Sequence, residues 1–197
     1  IVRMDAAALE QACRQLRRWQ ELGLAGPGFR MNVNVNDRQV TSSSFPDELR
    51  ATLRRIQLPP DALRLEITES VFRGGRQRAG SLLQALKQVG VQLVVDDFGT
   101  GYSSLDSFAA APFDSLKIDR SFVADLASNP RHRAIVRTII GFAGDLGLTL
   151  TAEGIESIEQ ERFLLQAGCP CGQGFRYGKA VPASGLEALL RRQTQSQ

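Results

Sequence analysis

Residues 91–101 read Val-Gln-Leu-Val-Val-Asp-Asp-Phe-Gly-Thr-Gly. A short apolar, valine-rich run bounded by turn residues fits a strand covered on both faces, as in a parallel sheet. The run stops on two acids and a glycine turn, so the strand predicted over Val91–Asp96 delivers Asp96 and Asp97 to its C-terminal end. Five other segments repeat the design. Strands are predicted over Phe29–Asn36, Leu63–Thr68, Ser115–Asp119, Leu148–Glu153 and Gly172–Phe175. Polar groups gather at their ends: Asn34; Glu66 and Glu69; Lys117 and Asp119; Glu153 and Glu156; Gln173.

Between these strands, apolar residues recur at helical spacing. Helices are predicted over 6–21, 46–57, 76–89, 131–146, 157–167 and 183–192, with a shorter one over Ser103–Ala109. Gly90, Gly147 and Gly168 stand where helix-terminating glycines are expected. Strand–helix alternation implies parallel strands joined by helical crossovers. A doubly wound sheet would string the polar ends along an edge. A (β/α) barrel focuses them on one mouth, where such barrels keep their catalytic groups. The predicted fold class is therefore α/β, a TIM-like (β/α) barrel. Six strands do not close an eight-stranded barrel, which usually takes about 250 residues, and this 197-residue chain opens on a helix. The expectation is one domain over residues 1–197, N-terminally incomplete and lacking its first strand region.

Apolar residues make up 43% and charged residues 23%, and the net charge is +3. That charge is too small to argue for DNA or membrane binding, though it suits a small anionic substrate. Cys13, Cys169 and Cys171 make no disulfide framework and read as small, partly buried residues in a reducing cytoplasm. No apolar run approaches about 18 residues and no leader resembles a signal peptide. A cytoplasmic domain is expected, one that can still belong to a membrane-anchored protein.

The strand-end residues suggest a chemistry. Asn34, Glu66, Asp96 and Asp97 supply hard oxygen donors, and the single histidine, His132, falls at a helix start. Such a set suits Mg²⁺ or Mn²⁺, with Ca²⁺ as an inhibitory substitute, rather than structural zinc. Neighbours in a strand face opposite sides, but at a strand end both Asp96 and Asp97 can turn to the mouth. A carboxylate there can bridge two ions about 3.5–4 Å apart, an arrangement used for phosphodiester hydrolysis. One acid at a strand end commonly just caps the next helix; the agreement of five strand ends argues for a site. Without a cation, so many carboxylates would repel one another and raise their pKa values.

Lys117, flanked by Leu116 and Ile118, is expected to bury its stem. Its ammonium would meet a water or phosphate oxygen, or pair with Asp119 or Glu153. Glu153 is the candidate general base, whereas Glu156 reads more simply as a dipole partner of the helix it begins. The stretch from Phe98 to Ser104 offers open backbone N–H groups and a helix cap, without a dinucleotide fingerprint.

Five linked motifs carry a resemblance. Leu65-Glu66-Ile67-Thr68-Glu69-Ser70, Asp96-Asp97-Phe98-Gly99-Thr100-Gly101-Tyr102-Ser103-Ser104-Leu105, Leu116-Lys117-Ile118-Asp119, Ala152-Glu153-Gly154-Ile155-Glu156 and Gln173-Gly174-Phe175 resemble, in order and spacing, the EAL-domain cyclic di-GMP phosphodiesterases. The resemblance runs over essentially the whole chain. It implies Asn34, Glu66, Asp96 and Asp97 as metal ligands, Lys117 ordering the catalytic water, and Glu153 as base. It also implies Gln173 in the water and metal network. Glu69 would anchor the loop after the Asp pair, which governs metal binding and dimer-linked activation. The implied reaction opens cyclic di-GMP to linear pGpG with Mg²⁺ or Mn²⁺. The implied partners are cyclic di-GMP, a second copy in a homodimer, and a fused GGDEF or sensor domain.

Two departures are visible. Asn36 stands where the family usually has serine, and its amide is expected to replace the hydroxyl's local hydrogen bonding. The namesake Glu-Ala-Leu, whose glutamate is a metal ligand and which an arginine that contacts substrate follows, belongs to the missing strand region. The expectation is little hydrolysis by the isolated chain. The alternative is an inactive EAL domain serving as a cyclic di-GMP receptor or protein-interaction module. Such members usually lose the Asp pair, the loop, the lysine or the base, all of which are present here. A proton-abstracting lyase or isomerase on the same barrel is disfavoured by the Asp-Asp-Phe-Gly loop.

Overall fold

Six parallel strands hydrogen-bond in sequence order, each neighbour in the sheet being the next strand in the chain. In the computed structural model, which describes residues 2–99 and 108–194, they are β1 (Met31–Asn34), β2 (Leu63–Thr68), β3 (Gln92–Phe98), β4 (Ser115–Ile118), β5 (Thr149–Ala152) and β6 (Cys171–Gly172). Around them run α1 (Val2–Glu21), α2 (Asp37–Val40), α3 (Phe45–Ile56), α4 (Arg76–Val89), α5 (Arg120–Val123), α6 (Pro130–Asp145), α7 (Ile158–Ala167) and α8 (Ala183–Thr194). The architecture is the predicted TIM-like (β/α) barrel, left open among the described residues.

The core lies between the sheet and its helices. Leu63, Leu65 and Ile67 of β2 are fully buried, as are Leu93 of β3 and Leu116 and Ile118 of β4. Cys13, Leu16 and Trp19 bring one face of α1 against this layer, and Leu83 and Leu86 do so from α4. Each such leucine contributes about 1.5–3 kcal/mol by leaving water.

Local chemistry explains where the predicted bounds moved. Phe29 donates its N–H to Gly26 in a turn, so β1 begins at Met31. Asn36 does not extend β1, because its side chain caps α2 by accepting the Gln39 N–H at 2.9 Å. Asp119 leaves β4 for the same reason: it caps α5, a helix the sequence pattern is too short to reveal. Gly90 and Gly168 close α4 and α7 with positive φ. Cys13 and Cys169 are buried, but Cys171 is exposed, a correction to the expectation that all three are at least partly covered. It sits in β6, which pairs only with β5 among the described residues. Of the short helix expected over Ser103–Ala109, residues 103–107 lie outside the described residues; Phe108 and Ala109 are helical.

The last strand was expected over Gly172–Phe175 but turns away after Gly172. Gly174 presses on the backbone of Ile155: an added Cβ would stand 2.1 Å from the Ile155 carbonyl oxygen and 2.3 Å from its nitrogen. Gly174→Ala is therefore expected to cost about 1–3 kcal/mol by overpacking, read as a lower urea midpoint. Gly26→Ala, whose added Cβ meets nothing within 4 Å, should leave the midpoint unchanged.

Candidate metal-carboxylate site

Parallel register levels the strand ends. Asn34 pairs with Glu66, Thr68 with Asp96, and Lys117 with Thr151. The C-terminal residues of β1 to β5 thus open on one side of the sheet. At their centre is Lys117, only 4% exposed. Its Nζ lies 2.9 Å from Glu66 Oε1 and 3.2 Å from Asp96 Oδ1, and it also pairs with Glu153 Oε1. Of the two ion pairs considered for Lys117, the structure contains the one with Glu153. Burial of Lys117 works against its charge, but Glu153 and Glu66 outweigh it and hold the ammonium above its ordinary pKa. Glu153 is also held above its ordinary pKa: burial, with the neighbouring Asp96 and Glu66, outweighs the pull of Lys117.

Asp97 owes its direction to the backbone. Between Val95 and Phe98 the pairing of β3 with β4 slips, so that three steps on β3 match two on β4. Asp97 adopts φ 54°, a left-handed conformation unusual for a residue with a side chain. The result is that Asp96, Asp97 and Glu153 each place a carboxylate oxygen within 4.8 Å of the others. Burial, then the neighbouring Asp96 and Asp119, push the Asp97 carboxyl up. Asp119 is also penalised by burial, yet the hydroxyl and N–H of Ser121 hold it below the usual range.

The remaining candidates fall around this centre. Glu69, 7% exposed, accepts the Gly99 N–H on Oε1 at 2.6 Å, tying the end of β2 to the turn after Asp97. The turn that carries Glu69 is itself held, because Ser70 Oγ donates to Asp37 Oδ1 at 2.6 Å. Gln173 pairs through its backbone, donating to Ala152 and accepting from Ile155. Glu156 is exposed and sits one residue ahead of the α7 cap Ser157, with its N–H on Gln160 Oε1 at 2.7 Å. Sequence reasoning missed Asn32, whose Nδ2 donates to Glu66 Oε1 at 2.8 Å. Asn32 and Asn34 are two apart on β1 and share a face, so strand period alone could have found it.

The donor set is one of hard anionic oxygens converging beside a buried ammonium, and it fits a divalent cation of the Mg²⁺ or Mn²⁺ kind. Fold and site together define an α/β protein of the TIM-like barrel type with a carboxylate-rich site at its strand ends. The sequence profile of the EAL domain matches residues 1–180. The chain is 38% identical over 190 residues to the bifunctional diguanylate cyclase/cyclic di-GMP phosphodiesterase MucR of Pseudomonas aeruginosa, covering 96% of this chain and 27% of MucR. The MucR phosphodiesterase in complex with c-di-GMP superposes with a TM-score of 0.89 at 38% identity, over 94% of this chain and 74% of that one. The EAL domain of Mycobacterium smegmatis DcpA gives 0.88 at 40% identity, over 93% and 82%. Klebsiella pneumoniae BlrP1, in a manganese/cyclic di-GMP complex, gives 0.77 at 28% identity, over 88% and 43%. The chain belongs to the EAL-domain family. It spans 22–30% of the length of the curated relatives it matches. No described helix is long and apolar enough to cross a membrane.

Proposed function

We propose that this domain hydrolyses one phosphodiester of cyclic di-GMP to give linear pGpG, with Mg²⁺ or Mn²⁺. The observation that carries the reading is the convergence of Asp96, Asp97 and Glu153 beside the buried Lys117, in a chain whose relatives include named cyclic di-GMP phosphodiesterases. The manganese in the BlrP1 complex supports the choice of metal.

Asn34, Glu66, Asp96 and Asp97 would hold the metal, which when bound acidifies water and offsets charge on phosphate oxygens. The residues of the chain do the rest. Glu153, its pKa raised by burial, takes the proton of the attacking water, a role that favours a base titrating nearer neutrality. Lys117 orients Glu153 and offsets negative charge developing on the phosphoryl group. The new bond joins the water oxygen to phosphorus and the bond to the 3′ oxygen breaks; that oxygen takes a proton from solvent, balancing the one given to Glu153, and leaves a 5′-phosphate and a free 3′-hydroxyl. Glu69 holds the turn after Asp97 in place, Asp119 faces Asp97, and Gln173, just past β6, and Glu156, one residue before the α7 cap, border the mouth.

The same reading carries a homodimer, a cytoplasmic setting, and fusion to a GGDEF or sensor domain, the last supported by the two activities named for MucR.

The test is chromatography of pGpG after incubating cyclic di-GMP with Mn²⁺ and, separately, this chain and any longer protein that contains it. Turnover by the longer protein supports the reading; turnover there but not in the chain places a needed group outside residues 1–197. Binding without turnover in the longer protein favours the receptor alternative.

Two more results are expected. Burial holds Asp97 and Glu153 above their ordinary pKa, so protons compete with the cation as pH falls. Mn²⁺ should raise the melting temperature more at pH 8 than at pH 5.5; an equal shift at both would remove these carboxylates from the site. Glu69→Ala leaves the Gly99 N–H without its 2.6 Å partner. It should raise the Mn²⁺ needed for half-maximal turnover about 10- to 100-fold; an unchanged Mn²⁺ curve would detach Glu69 from the site.

A further inference from the structure

The turn after Asp97 is held from a second side. Gly99 sits with φ +93°, and a Cβ added to it would stand 3.0 Å from Phe122 Cε2 and 3.3 Å from Cζ. The Phe122 ring therefore lies directly against the backbone two residues beyond Asp97. Phe122 belongs to α5 and is partly buried. The ring also meets His132 edge-on, with centroids 5.6 Å apart and planes at 78°. His132 is fixed in turn. Its Nδ1 bonds Asp125 Oδ1, its backbone N–H reaches Asn129 Oδ1 at 3.3 Å, and Asn129 Nδ2 donates to Asp125 Oδ2 at 2.9 Å. Contacts thus run unbroken from the first turn of α6, through one aromatic ring, to the peptide that follows the Asp pair.

We infer that Phe122, buttressed by the chain's single histidine, is a positioning residue for Asp97. The inference rests on the metal-dependent reading above and adds a second clamp to it. Asp97 adopts a left-handed conformation, uncommon for residues with a side chain even though Asp tolerates it better than most, and its neighbours hold it there. Glu69 restrains the Gly99 N–H by a hydrogen bond. Phe122 restrains the Gly99 Cα from the β4 side by contact. With both in place, the turn has little room to relax, and the Asp97 oxygen stays near those of Asp96 and Glu153. Remove the ring, and one restraint remains.

The test uses Phe122→Ala and, because that variant removes a partly buried ring, the milder His132→Ala, each made in this chain and in any longer protein that contains it. Hydrogen exchange is followed by mass spectrometry on peptides spanning 92–99, without metal or substrate. Mn²⁺ binding is followed by calorimetry, and Mn²⁺ dependence of cyclic di-GMP turnover in parallel. Phe122→Ala should speed exchange in 92–99 about tenfold or more while peptides of β1 and β2 keep their rates. It should weaken Mn²⁺ about 10-fold, with kcat at saturating Mn²⁺ little changed. His132→Ala should move the same quantities in the same direction by a smaller factor. Unchanged exchange and unchanged Mn²⁺ affinity in both variants would overturn the inference. So would His132→Ala speeding exchange evenly across all strands, which is a loss of general stability. If the unaltered protein shows no turnover, the phosphodiesterase reading fails, yet exchange and calorimetry still decide whether the clamp exists.

Discussion

Lys117→Met is expected to cost about 3–5 kcal/mol of stability, the price of stripping a buried charge from its partners. The substitution keeps the length and the apolar stem, so the loss isolates the ammonium. Lys117 Nζ serves Glu66, Asp96 and Glu153 at once, and without it three carboxylates face one another in a buried mouth. Glu153, which burial already holds up, must then take up a proton, and the pH window in which stability is lost moves from the lysine range down toward the carboxylate range. In the unaltered protein the ammonium's pKa is raised. Its contribution is therefore present below the unfolded lysine value of about 10.4 and is lost as pH rises through the folded value. In Lys117→Met the raised group is the carboxyl of Glu153, so stability should fall as pH rises through its folded pKa. Urea midpoints at pH 5 and pH 8 read this directly. The variant should be less stable than the unaltered protein at both, with its own midpoint higher at pH 5 than at pH 8, and a midpoint equal to the unaltered protein at both would remove Lys117 from the centre of the site.

Glu153→Gln is expected to lower turnover of cyclic di-GMP by about 10²- to 10⁴-fold, the usual worth of a positioned base. The same change should barely touch folding. Burial already penalises the charge on Glu153, and the amide oxygen of glutamine can still accept from Lys117. Binding of the dinucleotide should persist, since the substitution removes a proton acceptor rather than a surface. Measured side by side, turnover and dinucleotide affinity should separate in Glu153→Gln. If turnover stays within a few-fold of the unaltered protein, the base is another group, with Asp97 the next candidate.

Much of this was legible in the sequence because it rests on period and order. β2 was read over its full observed length, since Leu63, Leu65 and Ile67 alternate with polar residues toward a clear acidic end. The range of α4 was read as observed, and those of α3, α6 and α7 shifted by one residue at their ends, as periodic apolar faces allow. The parallel order followed from the strand–helix rhythm. What escaped was set by geometry between segments. Asn32 reaches Glu66 only because β1 and β2 pair in one particular register. The contact of Phe122 with Gly99 joins two strand exits and has no spacing to betray it. Asp119 was grouped with the mouth acids, and its capping of α5 became visible only once Ser121 was seen to fold back on it. Gln173 was placed inside a strand that in fact ends at Gly172, because the crowding of Gly174 against Ile155 cannot be read from composition.

The slip in β3 carries one more consequence. A straight strand shows a cavity every second residue, so two consecutive acids can never both serve it. The extra residue between Val95 and Phe98 breaks that parity rule and turns an ordinary dipeptide into a pincer. Anyone grafting this chemistry onto another barrel must therefore transplant the kink, not the letters. A scaffold given Asp-Asp on an unbroken strand would acquire one inward acid and one wasted on the far face. By the same logic, deleting a single residue here should do more harm than replacing either acid, because it would silence one and misdirect everything downstream of it.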